Sequence, residues 1–192
     1  MSLPLGVLAL QGDFREHLQV FSRLGVDAVS VRTAKELGGV SGLVIPGGES
    51  TTIGKLATIF ELFSPIKAAI ANGLPTFGTC AGLIMLADQI TGGIEGQETF
   101  GGLDVTVSRN AFGNQLDSFE ADIKFKGVDH DVHAAFIRAP VITEVRTSQI
   151  RAELPDGRVV AVSQGNILGI SFHPEVTGED GVHELFLREF VK

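Results

Sequence analysis

Short apolar runs alternate with segments of helical spacing through the first half of the chain, and this alternation limits the fold more than any other feature. Leu5–Leu10 is an apolar run that predicts a buried strand, and Asp13 and Glu16 then stand at the spacing of a capping box. Apolar residues at helical spacing follow until Gly25 ends the pattern. The alternation continues with predicted strands at Ala28–Val31, Gly42–Ile45 and Leu74–Phe77, and predicted helices at Thr51–Phe60, Phe63–Ala71 and Leu83–Ala87. Strand–helix–strand order with short connections predicts an α/β fold, built on an open, mostly parallel sheet flanked by helices.

The second half of the chain is richer in predicted strands than the first. Hairpin sequences stand at Asp156-Gly157 and Gly165-Asn166, and a final helix is predicted over Val182–Val191. The predicted strands are Leu103–Ser108, Phe119–Phe125, Ala134–Arg138, Val141–Val145, Val159–Gln164 and Ile167–Ser171. The sequence has no internal repeat, low-complexity tract or flexible linker. We therefore expect residues 1–192 to form a single domain with a β-rich second half.

Composition excludes several classes of function. The 192 residues include one cysteine and carry a formal net charge of −8, with a pI near 5.1. One cysteine excludes an internal disulfide framework, a Cys-x-x-Cys redox pair and a multi-cysteine metal site. An acidic chain lacks the electrostatic character of proteins that bind nucleic acids or anionic membranes. The apolar segment Leu3–Leu10 is too short to span a bilayer and no lysine or arginine precedes it, so we expect a cytoplasmic protein.

The single cysteine, Cys80, lies in the sequence Gly78-Thr79-Cys80-Ala81-Gly82, between a predicted strand and a predicted helix. This is the nucleophile-elbow pattern with cysteine in place of serine. The flanking glycines permit a sharp turn at the carboxyl edge of the sheet, and the following helix N-terminus favours a thiolate and a developing oxyanion. A buried, inert thiol is the alternative for a lone cysteine, and the elbow by itself is moderately specific.

A thiolate nucleophile needs a base, and the chain offers five histidines. His17 and His183 fall on predicted helices, where we expect solvated side chains. His130 and His133 have only a superficial likeness to a metal cluster, because no third strong ligand stands near them in the sequence. We expect a polar, solvated loop there.

The fifth histidine, His173, directly follows the predicted strand Ile167–Ser171 and begins the sequence His173-Pro174-Glu175. From a strand end it can project into the same crevice as Cys80. Glu175 can turn back to hold the imidazole nitrogen that does not face the sulfur. We therefore predict a triad of Cys80, His173 and Glu175, the alternative being a surface loop that happens to contain these residue types.

A third segment, Pro46-Gly47-Gly48-Glu49-Ser50-Thr51-Thr52, follows the third predicted strand. The spacing excludes a phosphate-binding loop, because five residues separate Gly48 from Gly54 and the motif requires four. Gly47 and Gly48 can instead present backbone N–H groups beside the elbow, where they would complete an oxyanion hole with the N–H of Ala81. A simple turn is the alternative.

Together these segments resemble the class I, or triad, glutamine amidotransferases, and among them the family of glutaminase subunits of pyridoxal 5′-phosphate synthase. The resemblance spans nearly the whole chain and rests on Ala9–Gly12, Arg15–His17, Pro46–Thr52, Phe77–Leu83, Arg109–Gly113, Asp117–Ala121, Phe136–Pro140 and Ser171–Glu175. Other glutaminases of the class usually have leucine after the cysteine, where this chain has Ala81. The match is weaker over Val128–His133 and Thr147–Ile150, and we assign no role there.

The resemblance implies a flavodoxin-like sheet and hydrolysis of L-glutamine to L-glutamate and ammonia through a γ-glutamyl thioester on Cys80, with no cofactor and no metal. It implies that the ammonia passes to the synthase subunit of pyridoxal 5′-phosphate synthase in a hetero-oligomer of multiple copies. It assigns the oxyanion hole to the N–H groups of Gly48 and Ala81, and partner docking, which in this family is thought to activate the glutaminase, to Gln11 and the first helix. The implied glutamine-binding residues are Gly48, Glu49, Ser50, Arg109, Ile137 and Arg138.

Three alternatives stay open at this point. A cysteine hydrolase or chaperone-like protein of the same architecture would usually have histidine directly after the nucleophile, where this chain has Ala81. A non-catalytic binding subunit is expected to lose a triad member, and this sequence retains all three. A glutaminase that feeds another pathway, such as histidine or tryptophan synthesis, would keep the same chemistry.

Overall fold

The computed structural model describes residues 3–109 and 118–191. Asn110–Gly113 and Asp117, which contribute to the resemblance above, lie outside the described residues. The helices are α1 (Phe14–Arg23), α2 (Ala34–Leu37), α3 (Ser50–Ile59), α4 (Phe63–Ala71), α5 (Ala81–Leu86), α6 (Pro174–Thr177) and α7 (Gly181–Glu189). The first strands are β1 (Leu5–Leu8), β2 (Ala28–Val31), β3 (Leu43–Ile45), β4 (Thr76–Thr79), β5 (Ala87–Thr91) and β6 (Leu103–Ser108). They are followed by β7 (Phe119–Ile123), β8 (Val132–Phe136), β9 (Val141–Val145), β10 (Gln149–Glu153), β11 (Val159–Gln164) and β12 (Ile167–Ile170).

One large sheet organises these elements, in the order β2-β1-β3-β4-β12-β11-β9-β6-β5, with β10 paired to β11. The half from β2 to β12 is parallel throughout. Beyond β12 the pairings are antiparallel, except that β5 runs parallel to β6. β7 and β8 form a separate antiparallel pair. The carboxyl ends of β3, β4 and β12 therefore meet at one edge, which is where open α/β sheets bind ligands.

Hydrophobic residues on the two faces of the sheet belong to two separate cores. Strand β3 shows why, because successive side chains of a strand point to opposite faces. Leu43 and Ile45 enter the core that includes residues of α3, α4 and α5, whereas Val44 enters the core that includes residues of α1, α7 and β8. Burial on both faces explains why the parallel strands read as continuous apolar runs rather than as alternating patterns.

The structure confirms the predicted fold class and most of the predicted elements. Leu103–Ser108, Val141–Val145 and Val159–Gln164 have the predicted bounds. Helices α2 and α6 and strands β5 and β10 were not predicted, and β5 begins at Ala87, the last residue of the helix predicted over Leu83–Ala87. No helix in the described residues combines the length and apolar character needed to cross a bilayer.

The predicted capping box at the start of α1 is wrong. Asp13 occupies the N-cap position, but its side chain makes no capping hydrogen bond. Its carboxylate instead lies 3.6 Å from Nδ1 of His173. The side chain of Asp13 is thus directed towards His173, a residue far away in the sequence that a local motif does not include.

Candidate active site

The backbone at Cys80 forms the predicted elbow between β4 and α5. Cys80 has φ 47° and ψ −101°, a conformation that is uncommon for a residue with a Cβ and is held only by its surroundings. A Cβ at Gly78 would lie 2.6 Å from the backbone of Gly82, and a Cβ at Gly82 would overlap the carbonyl oxygen of Ile45. Both glycines of the elbow are therefore required by close backbone packing, and α5 can start directly against β3.

Strand register brings His173 to the elbow. Strands β4 and β12 are parallel neighbours in which Thr79 pairs with Ile170, and the N–H of Cys80 donates to the carbonyl of Ile170 at 2.9 Å. His173 stands three residues beyond Ile170, and its own N–H donates to the carbonyl of Ala135 at 2.9 Å. The predicted projection of His173 into the crevice beside Cys80 thus follows from the pairing of two adjacent strands.

The side chains of His173 and Glu175 form the expected hydrogen bond, 2.7 Å between Nδ1 and Oε1. Burial alone would lower the pKa of His173, but hydrogen bonds and charge interactions with Cys80 and Glu175 outweigh it and raise this pKa to about 10. Burial raises the pKa of Glu175, while His17 and His173 lower it more strongly, so the net shift is downward. At neutral pH the imidazole therefore carries a proton on each nitrogen, one of which is held by the carboxylate.

Asp13 adds a second carboxylate beside His173. Burial raises its pKa first of all, the positive charge of His173 lowers it, and Glu175 raises it again, with a net upward shift. Asp13, His173 and Glu175 are the one group of three potential metal-ligating side chains among the described residues. Because Nδ1 of His173 is already bonded to Glu175, we interpret this group as an electrostatic cluster around the imidazole rather than as a metal site.

The turn after β3 lies against the same histidine. A Cβ at Gly47 would overlap Cε1 of His173, so the absence of a side chain lets the imidazole sit against the turn. Gly48 has φ +149°, and a Cβ there would lie 2.5 Å from Oε1 of Gln11. The same Gln11 oxygen accepts the N–H of Glu49 at 2.8 Å. Gln11 therefore holds the backbone of the segment that carries the predicted oxyanion donor.

Three of the predicted glutamine-binding residues form one connected polar group. The guanidinium of Arg109 donates to Oε1 of Glu49 at 2.5 Å and to Oε1 of Gln97 at 2.9 Å. The amide of Gln97 in turn donates to Oγ of Ser50 at 3.0 Å. Gln97 was not singled out from the sequence, because a glutamine in a loop carries no pattern of its own. Glu49 also caps α3 by accepting the N–H of Thr51.

Two further predicted glutamine-binding residues, Ile137 and Arg138, directly follow β8. They stand two and three residues beyond Ala135, whose carbonyl accepts the N–H of His173. Both are exposed, and Arg138 has φ +46°, which is uncommon for a residue other than glycine. Strand β8 thus connects this exposed segment to the backbone of His173.

Two of the five histidines differ from prediction. His17 and His183 are fully buried, not solvated, and their rings are hydrogen-bonded to each other at 2.9 Å. Helix α1 and helix α7 pack on the same face of the sheet, so side chains on their inner faces meet there. The sequence signal was their position within the apolar stripes of both helices, which buried residues such as Phe21 and Phe186 share.

The predicted solvated loop around His130 and His133 is correct in part. His130 lies outside any strand and its exposed side chain contacts Glu179. His133 lies on β8, paired with Asp122 of β7, and its half-exposed side chain contacts Glu120 and Asp122. An alternation of polar and apolar residues that is this short predicts a strand and a loop about equally well.

Comparison with known proteins identifies the family of this chain. The sequence profile of the SNO glutamine amidotransferase family matches residues 7–192. The chain belongs to this family. It is 57% identical to "Pyridoxal 5′-phosphate synthase subunit PdxT" of Leifsonia xyli subsp. xyli over 185 residues, 95% of this chain and 93% of the relative. The protein of the same name from Dehalococcoides mccartyi strain BAV1 is 52% identical over 188 residues, 97% of this chain and 96% of that relative.

Solved structures place the family within a wider fold. A crystal structure of a glutamine amidotransferase has a TM-score of 0.89 and 46% identity, covering 96% of this chain and 97% of that one. PurLQS from Thermotoga maritima has a TM-score of 0.72 at 17% identity, covering 98% of this chain and 99% of that one. The first similarity, like the family match, identifies a glutamine-hydrolysing enzyme. The second shows that the fold is shared with more distant proteins.

Proposed function

We propose that this chain is the glutaminase subunit of a pyridoxal 5′-phosphate synthase and that Cys80, His173 and Glu175 carry out its reaction. The observation that carries the proposal is the Cys80 elbow facing a His173–Glu175 pair, in a chain related over nearly its whole length to such subunits. The reaction is hydrolysis of the side-chain amide of L-glutamine to L-glutamate and ammonia. The relatives' common name favours this pathway over the other ammonia-consuming pathways considered above.

The first step is attack by the Cys80 thiolate on the amide carbon of glutamine. A carbon–sulfur bond forms and the carbonyl electrons move to oxygen, which becomes an oxyanion. The N–H of Ala81, the first residue of α5, and the N–H of Gly48 are proposed to donate to it. Because β3 and β4 are parallel neighbours, the two donors stand after adjacent strand ends.

The second step is departure of ammonia. The oxyanion reforms the carbonyl, the carbon–nitrogen bond breaks, and His173 gives the proton on Nε2 to the leaving nitrogen. This leaves a γ-glutamyl thioester on Cys80 and a neutral imidazole. Water then attacks the thioester, His173 takes a proton from it, and the thiolate leaves. Glu175, bonded to Nδ1 at 2.7 Å, holds the ring in the orientation that both proton transfers require.

Glutamine recognition is assigned to the polar group at the start of α3 and to the segment after β8. We propose that Gly48, Glu49 and Ser50, with Arg109, Ile137 and Arg138, bind the substrate. An arginine is the natural partner of the α-carboxylate, and Glu49, 52% exposed in its side chain, can contact the α-ammonium. In the free chain Arg109 and Glu49 pair with each other, so substrate binding replaces one ion pair with two.

The partner is proposed to be the synthase subunit, in a hetero-oligomer with multiple copies of each chain. Gln11 is suited to transmit docking of this partner, because it lies shortly before α1, which begins at Phe14, and accepts the N–H of Glu49. We further propose that residues 1–192 act as one domain in the cytoplasm, where the nucleophile stays a free thiol. Cell fractionation with a reducing-compartment marker tests the location.

The test is release of glutamate from glutamine, measured for wild type and Cys80→Ala with and without the synthase subunit. We expect wild type to be active with the partner, and Cys80→Ala to lose all measurable activity while still binding the partner. An inactive wild-type complex would refute the proposed function. An active Cys80→Ala complex would refute the proposed nucleophile. Incubation with other ammonia acceptors distinguishes the pathways.

A further inference from the structure

Two buried histidines lie directly beneath the triad and have no part in the reaction described above. Nδ1 of His17 and Nε2 of His183 are 2.9 Å apart. Nε2 of His17 is 3.2 Å from the hydroxyl of Thr79, the residue before the nucleophile, and 3.8 Å from Oε1 of Glu175. A row of polar atoms therefore runs from His183 through His17 towards the carboxylate that holds His173, with a last gap of 3.8 Å.

The row is enclosed in apolar surroundings. His17, His183 and Thr79 are all fully buried, and the ring of His183 meets Phe21 and Phe77 edge-on at 5.3 and 5.4 Å between ring centroids. Burial lowers the pKa of His17 and lowers that of His183 still further. Both imidazoles are therefore neutral at physiological pH, and each has one N–H and one nitrogen lone pair.

One ring nitrogen of the two histidines has no hydrogen-bond partner within the described residues, and this indicates which nitrogens carry the protons. Nδ1 of His183 is buried and has no hydrogen-bond partner within the described residues. A buried N–H without an acceptor is rarer in proteins than a buried acceptor without a donor. We therefore place the His183 proton on Nε2, from which it is donated to Nδ1 of His17. His17 must then carry its own proton on Nε2, which faces Thr79 and Glu175.

The Glu175 carboxylate has few partners for a buried charge. Its Oε1 accepts from His173 at 2.7 Å, while its Oε2 is buried with no hydrogen-bond partner within the described residues. A buried carboxylate that lacks donors is costly, and its orientation is fixed only by the groups around it. The nitrogen Nε2 of His17 is hydrogen-bonded to the Thr79 hydroxyl at 3.2 Å and lies 3.8 Å from Oε1 of Glu175, so its N–H is the polar group of this row nearest to the carboxylate.

We propose that His17, oriented by His183, is a positioning residue that presents its Nε2–H to Glu175 and so fixes the carboxylate that holds His173. The inference rests on the proposed function of the triad. Thr79 shares the same N–H, and its place next to Cys80 ties the row to the elbow. His17 touches neither substrate nor the reacting atoms in this proposal and acts only through Glu175.

The proton placement is tested on the wild-type chain by long-range ¹H–¹⁵N NMR of its histidines, which distinguishes the two neutral tautomers. We expect His17 and His183 both to be protonated on Nε2 at pH 7. A His17 protonated on Nδ1 would overturn the proposal, because its lone pair would then face the carboxylate. This measurement needs no glutaminase activity, so failure of the proposed function would leave its outcome readable.

The role of the Nε2–H is tested by a matched pair of variants, His17→Gln and His17→Asn. The glutamine amide nitrogen reaches the place of Nε2, whereas the asparagine amide reaches only the place of Nδ1 and keeps the contact with His183. In the complex with the synthase subunit we expect His17→Asn to lose about tenfold in kcat with KM unchanged, and His17→Gln to recover most of that loss.

Two further readouts separate positioning from packing. Thermal unfolding should give similar Tm values for the two variants, and the pKa of His173, measured by NMR, should fall in His17→Asn more than in His17→Gln. Besides His17, the groups facing His173 are Cys80, Glu175 and Asp13, and both variants leave them unchanged. Equal kcat in the two variants, or an effect on KM alone, would overturn the proposal. A loss of kcat that is proportional to the fall in Tm across the variants would overturn it as well.

Discussion

The two sides of the crevice are built differently. On one side, His173 and Glu175 are 5% and 6% exposed, and their bond is flanked by further buried polar groups. On the other side, Glu49 and Arg109 pair with each other, and the side chain of Glu49 is 52% exposed. In the proposed reaction, the enclosed side holds charges whose positions stay fixed. The open side is proposed to hold charges that exchange partners when the substrate binds.

The difference follows from how each side is supported. The enclosed side stands on strands β4 and β12, whose register is fixed by backbone pairing, and on helices α1 and α7, which cover it. The open side stands on the N-terminus of α3 and on loop residues such as Gln97 and Arg109. The Glu49 side chain is 52% exposed and that of Arg109 15%, so water reaches the carboxylate end of the pair and competes for it. Substitutions on the enclosed side should therefore mainly lower kcat, whereas those on the open side should mainly raise KM.

The largest effect is expected from Glu175→Gln on the enclosed side. The glutamine amide keeps the size of the side chain but removes its charge, so it no longer stabilises the His173 imidazolium. We expect kcat to fall by roughly 10³-fold or more with little change in KM, by analogy with loss of the orienting carboxylate in other triads. Steady-state glutamate release in the complex measures it.

The matched control is Glu120→Gln, which removes an exposed carboxylate that contacts His133 instead of His173. It should leave kcat within about twofold, as surface substitutions usually do. A Glu175→Gln enzyme with wild-type kcat would show that enclosure of the carboxylate is structural and has no role in the reaction.

A somewhat smaller effect is expected from Gly47→Ala, which affects the enclosed side without changing any charge. The added Cβ would overlap Cε1 of His173 and lie 3.0 Å from its Nδ1, so the imidazole must move away from the turn. Displacement of a catalytic group by about 1 Å can cost on the order of 10²-fold in rate. We expect that loss in kcat, together with a lower pKa of His173 by NMR as its bond to Glu175 lengthens.

Gly54→Ala supplies the control for the glycine substitution. A Cβ at Gly54 meets its nearest neighbour, Met85 Cε, at an ordinary 3.5 Å, and alanine favours the helix in which Gly54 lies. The variant should be as active as wild type and slightly more stable. If Gly47→Ala behaved in the same way, the imidazole would not depend on close contact with this turn.

For the enclosed side, the sequence predicted the residues of the triad but not the buried polar residues around them. Cys80 and His173 could be placed because each directly follows an apolar run, and the ends of parallel strands converge. His17 and His183 could not be paired, because they lie 166 residues apart and on helices whose contact depends on tertiary packing. Asp13 was misassigned because a local capping pattern competes with a long-range charge that no sequence window contains.

Of the residues on the open side, the sequence indicated Glu49, Ser50 and Arg109 but not Gln97, and it indicated none of their contacts. Glu49, Ser50 and Arg109 were named from a family resemblance, and the structure joins them through Gln97. Spacing along the chain does not reveal which exposed charges pair, since long side chains reach many partners at similar free energy. Strand bounds were better predicted than polar contacts. A buried strand leaves an apolar run in the sequence, whereas a polar contact depends on how distant segments are arranged in the fold.

On the open side, Arg109→Ala should weaken substrate binding and leave the chemistry intact. The guanidinium is proposed to bind the α-carboxylate, and loss of a hydrogen bond to a charged group corresponds to roughly tenfold or more in affinity. We expect KM for glutamine to rise by about that factor with kcat changed by less than threefold. Initial rates over a wide range of glutamine concentrations measure both constants.

Arg146→Ala controls for loss of an arginine–carboxylate pair elsewhere, since Arg146 pairs with Asp104 and Glu144 on the antiparallel half of the sheet. It should change neither constant. If Arg109→Ala lowered kcat without raising KM, Arg109 would act in the chemical step, as the residues of the enclosed side are proposed to do. The two sides would then not differ in their roles.

The smallest effect is expected for His133→Gln, on the exposed face of β8. Hydrogen bonds to Asp122 and then to Glu120 raise the pKa of His133 above its ordinary value of 6.5. A raised pKa in the folded state stabilises the fold below the unfolded pKa, and the contribution is lost as pH rises through the folded pKa. The substitution should therefore lower Tm by roughly one or two degrees at pH 6 and by nothing measurable at pH 9. Glutaminase activity should be unchanged at both values, and an equal Tm loss at the two pH values would show that packing, not charge, holds this histidine.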